Sequence, residues 1–503
     1  GWTGPKEWDG LPIEGTFRAH QVPLAEVRAQ PAQLAALERW MRSYRPEKLF
    51  DASGVPAPDI LAAAPEGERR MGANPHANGG KLLQPLRLPD WRQYALAVPQ
   101  PAVEQHESTR QFGVYLRDLF TASAAAVNFR LFCPDELVSN RLDAVLAATP
   151  RCFGLPIISI DDRLAPDGRV FEVLSEHLCE GWLEGYLLTG RHGLFATYEA
   201  FAMVPASMIV QHTKWLEAAR ALPWRAPVAP LNLLLTSTCW RNDHNGFSHQ
   251  GPGLIDVMLS KRGTVARIYF PPDANCLLAI ADRCFRDRST VNLIVIDKQP
   301  QLQWLGADQA DEHCRLGASI WDWAGTPGAS AGLEVVLAAC GDIPTLETVA
   351  AAWWLRHYVP ELCLRLVNVV DLMCLFPPDV HPHGLPPERF AALFTDDQEV
   401  VFAFHGYQRA VHEVIHGRPN PDRFHVRGFR EQGTTTTPFD MVVLNEMSRF
   451  HLAAEAVRRT LPDGPRRQQL LAACSQAIAD AVAYAREHFE DPPEIRNWRW
   501  TQP

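Results

Sequence analysis

A chain of 503 residues, 47% hydrophobic and 21% charged, has the composition of a globular protein, and its length favours two or three domains. Its net charge of −10 excludes a general nucleic-acid binder, which would be basic overall. No uninterrupted apolar run is long enough to span a membrane, and no signal segment opens the chain. The 11 Cys lie scattered in apolar stretches without CxxC pairs, which favours reduced thiols and a cytoplasmic protein.

The first 90 residues are rich in Pro and Gly and have little sustained periodicity, apart from one helical stretch at about Pro31 to Tyr44. We interpret residues 1–90 as the tail of a preceding domain and a linker, which includes RRMGANPHANGG. The chain begins with Gly1 and not with Met, so we expect a processed protein or a piece of a longer one.

From about residue 108, predicted helices alternate with apolar runs. QFGVYLRDLF is predicted to be helical, NFRLF to be a strand, and SNRLDAVLAAT to be a helix that begins at Ser139. Apolar residues recur every four positions at Leu174, Leu178, Trp182 and Tyr186 and predict another helix. The continuous apolar runs LNLLLTS, ARIYF and VNLIVID then predict strands of a parallel sheet that is covered on both faces.

A break near residues 301–327 leads into a further region with the same alternation. EVVLAAC, LRLVNVVD and VVFAFHG predict a second sheet, and a polar helical tail runs from about Asn445 to Glu490. The sequence therefore predicts an α/β protein with two successive α/β domains, at 91–310 and 311–503.

The densest polar cluster is WRNDHNGFSHQGPG at 240–253, directly after the predicted strand LNLLLTS. Ligands of open α/β sheets bind beyond the carboxyl ends of strands. His244, Asn245, His249 and Gln250 offer imidazoles and amides for proton transfer and for hydrogen bonds to sugar hydroxyls or phosphate. Spacing alone fits equally well a surface loop whose histidines have no function.

A second cluster, FCPDELVSNRL at 132–142, also follows a predicted strand. Ser139 is a good helix N-cap and Arg141 falls in the first predicted turn, so free N–H groups and a guanidinium would form an anion site. Most caps of this kind serve only the structure of their helix.

Three acids stand at helical spacing in LSEHLCEGWLEGYL, namely Glu176, Glu180 and Glu184. Glu176 is either a buried acid with a function or one member of a solvated helix face, and the second interpretation is the more common one for such a pattern.

HEVIH, at His412 to His416, matches the HExxH pattern of zinc proteases, which places two imidazoles on one helix face with Glu413 as a base. RPNP follows at once and ends the helix, and no third ligand stands at the HxxGxxH spacing. No metal site is predicted here.

Taken together, these segments resemble the phosphoketolase family almost throughout the chain. The resemblance runs from GWTGPKEWDG and FRAHQVPL, through RRMGANPHANGG, FCPDELVSNRL, SEHLCEG and WRNDHNGFSHQGPG, to HVRGFREQGTTTTPFDMVVLN, in the order of the family. It implies a transketolase-like α/β fold in which both predicted domains are doubly wound. The three regions would then be the tail of the diphosphate-binding domain, the aminopyrimidine-binding domain and the C-terminal domain. Members of the family are cytoplasmic homo-oligomers built on a dimer.

The resemblance implies thiamine diphosphate and Mg²⁺ as cofactors. The family binds the diphosphate and Mg²⁺ with a GDG motif and a later Asn, and this sequence contains no GDG. We therefore expect the main site, and a Lys that precedes GWTGP in the family, on an N-terminal part outside this chain. This chain alone is then expected to be inactive.

The resemblance also implies roles for single residues. Glu176 matches the glutamate that hydrogen-bonds the aminopyrimidine ring of the cofactor, and Tyr198 matches an aromatic residue that packs on this ring. His20, His244 and Asn245 match groups around the reacting carbons. The pocket for the substrate phosphate and for inorganic phosphate matches Ser139, Arg141, Arg220, His249 and Lys298.

The implied activity is that of a thiamine-diphosphate-dependent carbon–carbon lyase. It would cleave xylulose 5-phosphate or fructose 6-phosphate with inorganic phosphate, giving acetyl phosphate and glyceraldehyde 3-phosphate or erythrose 4-phosphate. The alternatives are a transketolase-like transferase and a non-catalytic domain pair that serves assembly. The segment at 240–253 favours phosphoketolase over transketolase.

Overall fold

The apolar runs of the sequence form two mainly parallel sheets in the computed structural model, which describes residues 4–20, 24–134, 137–328 and 332–501. The chain divides into two compact units, residues 1–74 and 75–503. No helix of the described residues is long and apolar enough to cross a membrane.

The N-terminal unit, residues 1–74, has little regular structure, as its Pro-rich sequence predicts. The helix predicted at Pro31 to Tyr44 is confirmed as α1, which has Pro at its first position, where a missing N–H costs nothing. The elements of this unit are β1 (Glu7–Trp8), β2 (Leu11–Pro12), α1 (Pro31–Ser43), α2 (Pro46–Leu49) and α3 (Pro58–Ala63).

The second unit contains the middle sheet, whose eight strands are all parallel and run in the order β10-β11-β9-β8-β4-β7-β5-β6. The strands predicted from NFRLF, LNLLLTS, ARIYF and VNLIVID are confirmed as β4, β9, β10 and β11. Beside the sheet, a short antiparallel pair joins β3 to β12. These strands are β3 (Gln105–Glu107), β4 (Phe129–Cys133), β5 (Arg151–Cys152), β6 (Leu164–Ala165), β7 (Val170–Glu172), β8 (His192–Tyr198), β9 (Leu231–Thr236), β10 (Ala266–Tyr269), β11 (Val291–Val295) and β12 (Pro300–Leu302).

Both faces of the middle sheet are buried, which explains why its strands are continuously apolar. Successive residues of β8 point to opposite faces, so Leu194 packs in one hydrophobic cluster and Phe195 in another. Leu233 and Leu234 of β9 are divided between the same two clusters. Helices therefore cover the sheet on both sides, as predicted for a doubly wound domain. The helices of this region are α4 (Ser108–Ala122), α5 (Glu176–Leu188), α6 (Ala206–Arg220), α7 (Leu254–Leu259), α8 (Ala274–Arg286) and α9 (Ala307–Leu316).

Helix α5 confirms the helix predicted around residues 174–188, but the buried face is a different one. Leu174 precedes the helix and is 77% exposed, while Leu178 and Trp182 are also exposed. The side chains that pack inward are Cys179, Glu180, Leu183 and Leu187. The four-residue apolar spacing therefore marked a surface stripe and not the core.

The helix predicted to begin at Ser139 is wrong. Residues 137–141 form turns, and within the predicted segment, residues 139–149, the structure shows only a short 3₁₀ helix, Asp143–Ala147. Arg141 has φ of 63°, in the left-handed region, which interrupts a helix at this point. Ser139 is therefore not an N-cap, and its hydroxyl bonds elsewhere.

A second sheet lies C-terminal to the middle sheet in the sequence, with the order β13-β15-β14-β16-β17 and only β13 antiparallel. The predicted strands EVVLAAC, LRLVNVVD and VVFAFHG are confirmed as β14, β15 and β16, and the polar tail contains two long helices, α14 and α15. The domain boundaries at 90 and 310 stay predictions. These elements are β13 (Ala318–Ile320), β14 (Val335–Cys340), α10 (Asp342–Tyr358), β15 (Leu364–Val369), α11 (Pro387–Phe394), β16 (Glu399–Tyr407), α12 (Gln408–Ile415), β17 (Phe424–Phe429), α13 (Pro438–Leu444), α14 (Arg449–Thr460), α15 (Pro465–His488) and α16 (Pro493–Arg496).

Candidate functional site

Four of the predicted site residues follow or end four neighbouring strands of the middle sheet. Ser139 comes after β4, Tyr198 ends β8, His249 comes after β9 and Lys298 comes after β11. Since β11, β9, β8 and β4 are adjacent and parallel, their carboxyl ends share one edge of the sheet. This edge is where ligands of open α/β sheets bind.

Lys298 is the centre of this group. It is 6% exposed, and its ammonium donates hydrogen bonds to Ser139 Oγ at 2.8 Å and to Tyr198 Oη at 2.9 Å. The two hydroxyls also bond to each other. The Nζ atom lies 4.0 Å from the centroid of the Tyr198 ring, so a cation–π contact adds to the hydrogen bonds. Among the described residues, no carboxylate forms an ion pair with Lys298.

His249 stands beside this group. Its ring packs edge-on against Phe201, with 5.0 Å between ring centroids, and lies 6.3 Å from Tyr198. Its Nδ1 is 2.8 Å from Ser248 Oγ. Burial, followed by the charges of His244 and Lys298, lowers the pKa of His249 below its ordinary value. At neutral pH the ring is therefore neutral and offers one N–H donor, which suits contact with an anion.

The 240–253 loop is held in shape by a residue that the sequence did not single out. Asn242 is fully buried and donates hydrogen bonds to the carbonyl oxygens of Thr238 at 3.2 Å and His249 at 3.0 Å, and to that of Ser237. The side chain of Asn245 donates to Asn242 Oδ1 at 3.4 Å. An Asn inside a turn-rich segment is a known signal for such side chain–backbone bonds, and this was the signal available in the sequence.

The same loop is bonded to the TTTT segment before α13. Gln250 Nε2 donates to the carbonyl of Asn242 at 2.8 Å and to that of Thr434 at 3.3 Å, and the Thr436 N–H donates to the carbonyl of Asp243 at 2.9 Å. On this side His244 lines a cavity of about 520 Å³. The histidine is exposed, so it can meet a ligand.

Arg141 lies near Ser139 but is engaged elsewhere. The two residues line one open surface cavity of about 750 Å³, and Arg141 Nε donates to Glu107 Oε1 at 2.9 Å. Burial of Glu107 works against ionisation, yet Arg110 and Arg141 hold the pKa of Glu107 below its ordinary value. Arg141 is thus already paired with a carboxylate, and an anion would have to share it.

Arg220 lies apart from the cluster, although it was predicted to belong to the same pocket. It is the last residue of α6, and its Nη1 donates to the carbonyl oxygen of Thr264, which precedes β10. A helix that connects two parallel strands runs back across the sheet, so α6, with 15 residues and a length of about 22 Å, ends near the amino edge. Within this chain Arg220 and Ser139 are therefore at opposite edges.

Glu176 and His20 are the remaining predicted residues. Glu176 is the first residue of α5 and is half-buried, and its carboxylate forms no hydrogen bond or ion pair with another described residue. Ser175 caps the helix by accepting a hydrogen bond from the Leu178 N–H at 3.3 Å. His20 belongs to the N-terminal unit, where it ends a short 3₁₀ helix, Phe17–His20. The functions assigned to Glu176 and His20 stay predictions.

Comparison with protein families accounts for most of the chain. The family model described as D-xylulose 5-phosphate/D-fructose 6-phosphate phosphoketolase matches residues 110–287. The models of the XFP N-terminal and XFP C-terminal domains match residues 1–82 and 298–500. The chain belongs to the phosphoketolase family.

Curated relatives agree with this family. The chain is 56% identical over 500 residues to a probable phosphoketolase of Bradyrhizobium diazoefficiens, an alignment that covers 99% of this chain and 62% of the relative. It is 53% identical over 506 residues to one of Brucella melitensis biotype 1, covering 100% of this chain and 63% of the relative. The chain thus spans less than two thirds of the length of these phosphoketolases.

Solved structures confirm the predicted fold. A transketolase from Pichia stipitis in complex with sedoheptulose 7-phosphate matches with a TM-score of 0.55 and 14% identity, over 85% of this chain and 53% of that protein. Transketolase from Leishmania mexicana matches with a TM-score of 0.52 and 14% identity, over 86% of this chain and 55% of that protein. The chain therefore has the transketolase-like α/β fold.

Glu180, one turn after Glu176, has no function implied by the phosphoketolase resemblance, and its placement on a solvated face is wrong. Its side chain is fully buried, and neither carboxylate oxygen has a hydrogen-bond partner among the described residues. Burial, with a smaller contribution from Glu184, raises the pKa of Glu180 to about 8. Glu184 Oε1 lies 3.2 Å from Nδ1 of the buried His212 on α6. Glu180 thus faces the protein interior, while Glu184 is only partly exposed.

A second buried polar group was missed by the sequence analysis. Glu199, Cys239 and His405 are the only three potential metal ligands that the described residues bring within 4.8 Å of one another. Glu199 Oε1, however, accepts a hydrogen bond directly from His405 Nε2 at 2.8 Å, so we interpret the group as a buried hydrogen-bonded pair and not as a metal site. In the HEVIH segment, His412 and His416 are exposed and belong to no such group.

Proposed function

We propose that this chain is part of a phosphoketolase that cleaves xylulose 5-phosphate or fructose 6-phosphate with inorganic phosphate, and that Lys298 lies at its phosphate site. The proposal depends on one observation above all, a buried ammonium whose hydrogen bonds go to two neutral hydroxyls. A buried charge without a counter-charge costs several kcal/mol, and a bound anion removes this cost.

Phosphate has the chemistry that this group requires. Its oxygens accept charge-assisted hydrogen bonds from Lys298 and neutral ones from the hydroxyls of Ser139 and Tyr198. His249 adds an N–H donor at the same edge of the sheet. The cleaved sugar would supply a two-carbon unit that loses water to become an acetyl group, and a phosphate held here would accept this group to give acetyl phosphate.

Glu176 is suited to bind the aminopyrimidine ring of thiamine diphosphate. Binding of its aminopyrimidine ring needs an acid that is free to hydrogen-bond a ring nitrogen, and Glu176 has no competing partner among the described residues. When bound, the cofactor would supply a carbanion for addition to the ketose carbonyl. Glu176 would hold and polarise the ring. We assign no residue of this chain to Mg²⁺.

The contacts of Tyr198 bear on its predicted role against the cofactor ring. Phe201 stacks on Tyr198 with 5.9 Å between centroids, and Lys298 lies over the Tyr198 ring. These contacts favour a part for Tyr198 in the phosphate cluster, through its hydroxyl, in addition to any contact with the cofactor.

We further propose that the protein is a cytoplasmic homo-oligomer built on a dimer. Beside Glu176, the apolar side chains Leu174, Leu178 and Trp182 are 77%, 47% and 42% exposed. An apolar stripe of this kind supports contact with a further protein surface. Sedimentation of the whole protein measures the oligomeric state directly.

The function is tested with Lys298→Met, which removes the charge and keeps most of the side-chain volume. We expect phosphate to bind 10- to 100-fold more weakly, since a hydrogen bond to a charged group contributes about 1.5–3 kcal/mol. Calorimetric titration with inorganic phosphate measures the affinity, and acetyl phosphate formation by the whole enzyme measures the activity. Lys214→Met, at an exposed position of α6, is the matched control. Unchanged phosphate affinity in Lys298→Met would contradict the proposal.

The two arginines assigned to the phosphate pocket are expected to differ. Arg141→Ala should raise the apparent constant for phosphate by about 10-fold, since Arg141 shares a cavity with Ser139 and contributes one charge-assisted bond. Arg220→Ala should change it less than 2-fold if the pocket is formed within this chain, because Arg220 bonds Thr264 at the other edge of the sheet. An effect of Arg220→Ala as large as that of Arg141→Ala would mean that another chain brings this arginine to the pocket.

A further inference from the structure

Glu199 occupies a special position, because it follows Tyr198 directly and is buried at the end of β8. Its side chain is 1% exposed, and both carboxylate oxygens have partners in different parts of the second unit. Oε1 accepts from His405 Nε2 at 2.8 Å, and Oε2 accepts from the backbone N–H of Cys239 at 2.8 Å. The backbone N–H of Glu199 donates to the carbonyl of Thr236 at 2.9 Å. One carboxylate thus fixes the end of β8 and the start of the 240–253 loop.

His405, the partner of Glu199, belongs to the second sheet. It lies on β16, and its carbonyl oxygen accepts from Trp240 Nε1 at 2.9 Å, so side chain and backbone both bond to the middle sheet region. Its ring packs against Phe270 with 5.4 Å between centroids. Burial works against protonation of His405, but Glu199 and then Asp342 and Asp297 raise its pKa above the ordinary value. The carboxylate of Glu199 therefore favours the protonated form of His405.

The positions of two cluster residues depend on this pair. Tyr198 is adjacent to Glu199 along the chain. The 240–253 loop begins directly after Cys239. The side chain of Asn242 bonds to the carbonyl of His249 and so connects the first part of the loop to its second part. We infer that Glu199 and His405 are positioning residues, through which the second sheet holds Tyr198 and the 240–253 loop in the geometry of the candidate site.

Substitutions at His405 can distinguish a positioning role from a general contribution to stability, because its two ring nitrogens have different hydrogen-bond partners. Nε2 bonds Glu199, whereas Nδ1 has no hydrogen-bond partner among the described residues. Gln places its amide nitrogen near the position of Nε2, and Asn places it near that of Nδ1. His405→Gln should therefore keep the loop in place, while His405→Asn and His405→Leu should not.

The control is His313→Leu. His313 is also buried, and the variant would lose hydrogen bonds to Ser319 and Asn368. His313 lies on α9, and none of its hydrogen bonds goes to the 240–253 loop. The His313→Leu variant therefore shows how amide exchange changes when the protein loses a comparable amount of stability while the contacts of Glu199 stay intact.

The experiment is amide hydrogen exchange, followed by mass spectrometry, of peptides that cover residues 237–250. In His405→Asn and His405→Leu we expect exchange in this segment about 10-fold faster than in wild type, which corresponds to about 1.4 kcal/mol. His405→Gln should stay within about 3-fold of wild type, and His313→Leu should match wild type here while melting at a lower temperature. Glu199→Gln keeps the shape of the side chain and loses one acceptor, so its exchange should resemble that of His405→Asn. This variant replaces His405→Leu in the comparison if His405→Leu does not fold.

Two results would overturn the inference. One is exchange in 237–250 that is no faster in His405→Asn than in His313→Leu, and the other is a failure of His405→Gln to restore protection relative to His405→Asn. The inference concerns the site of the proposed function, but exchange needs no catalytic activity. A failure of the proposed function would appear instead as unchanged phosphate binding in Lys298→Met.

Discussion

Glu176→Gln is expected to lower the turnover of the whole enzyme with its cofactors by about 10²–10⁴-fold, which is the usual contribution of a positioned acid–base group. Gln keeps the size and the hydrogen-bonding oxygen, but it cannot share a proton with the cofactor ring. The fold should persist, because the carboxylate of Glu176 forms no hydrogen bond or ion pair with another described residue. Steady-state rates of acetyl phosphate formation measure the effect.

The matched control for this prediction is Glu388→Gln. Glu388 is an exposed acid in the first turn of α11, and Glu176 is a half-buried acid in the first turn of α5. Both variants therefore lose the same kind of favourable interaction with the helix dipole, about 0.3–1 kcal/mol. Glu388→Gln should leave the rate unchanged. Near-normal turnover in Glu176→Gln would show that the assignment of Glu176 to the cofactor is wrong.

Glu180→Gln is expected to make the protein less sensitive to pH. The pKa of Glu180 is raised to about 8 in the folded protein, whereas in the unfolded chain it is about 4.3. Because the folded state keeps the proton longer, the stability from this group is fully present below pH 4.3 and is lost as pH rises towards 8. Between pH 5 and pH 7 the wild-type protein should lose about 2–3 kcal/mol of unfolding free energy through this carboxyl.

The measurement is urea denaturation of wild type and Glu180→Gln at several pH values in this range. Gln cannot ionise, so the variant should gain about 2–3 kcal/mol relative to wild type between pH 5 and pH 7. Glu312→Gln, on the exposed surface of α9, is the control and should follow the pH dependence of wild type. A constant difference between Glu180→Gln and wild type would show that Glu180 is ionised throughout the range.

The sheets were predictable because their strands are buried on both faces. A run such as LNLLLTS has no polar alternation, and in a chain of this length that pattern belongs to a covered parallel strand. Helix faces were harder to predict. The stripe of Leu174, Leu178 and Trp182 is apolar but exposed, whereas Glu180 is polar but buried. Hydrophobic spacing identifies a helix, but it does not by itself say which face of the helix is buried.

The candidate site was predictable only in part, and for a physical reason. Loop positions at strand ends are visible in a sequence, and the 240–253 loop was found in this way. Contacts between distant residues are not visible. Lys298 and Ser139 are 159 positions apart, and Glu199 and His405 are 206 apart. The resemblance to phosphoketolases named Lys298, but neither spacing nor resemblance indicated the Glu199–His405 pair.

The origin of the cluster on four adjacent parallel strands also bears on how the protein folds. Ser139, Tyr198, His249 and Lys298 meet only after β4, β8, β9 and β11 have all aligned in register. Pairing strands that are far apart in the sequence is slow, so we expect this sheet edge to form late in folding. An anion bound to the finished edge would contact three or four loops at once and would have no partner in a half-formed sheet. The bound anion would therefore slow the opening of the entire sheet, because no single loop could move away without breaking its contact with the anion.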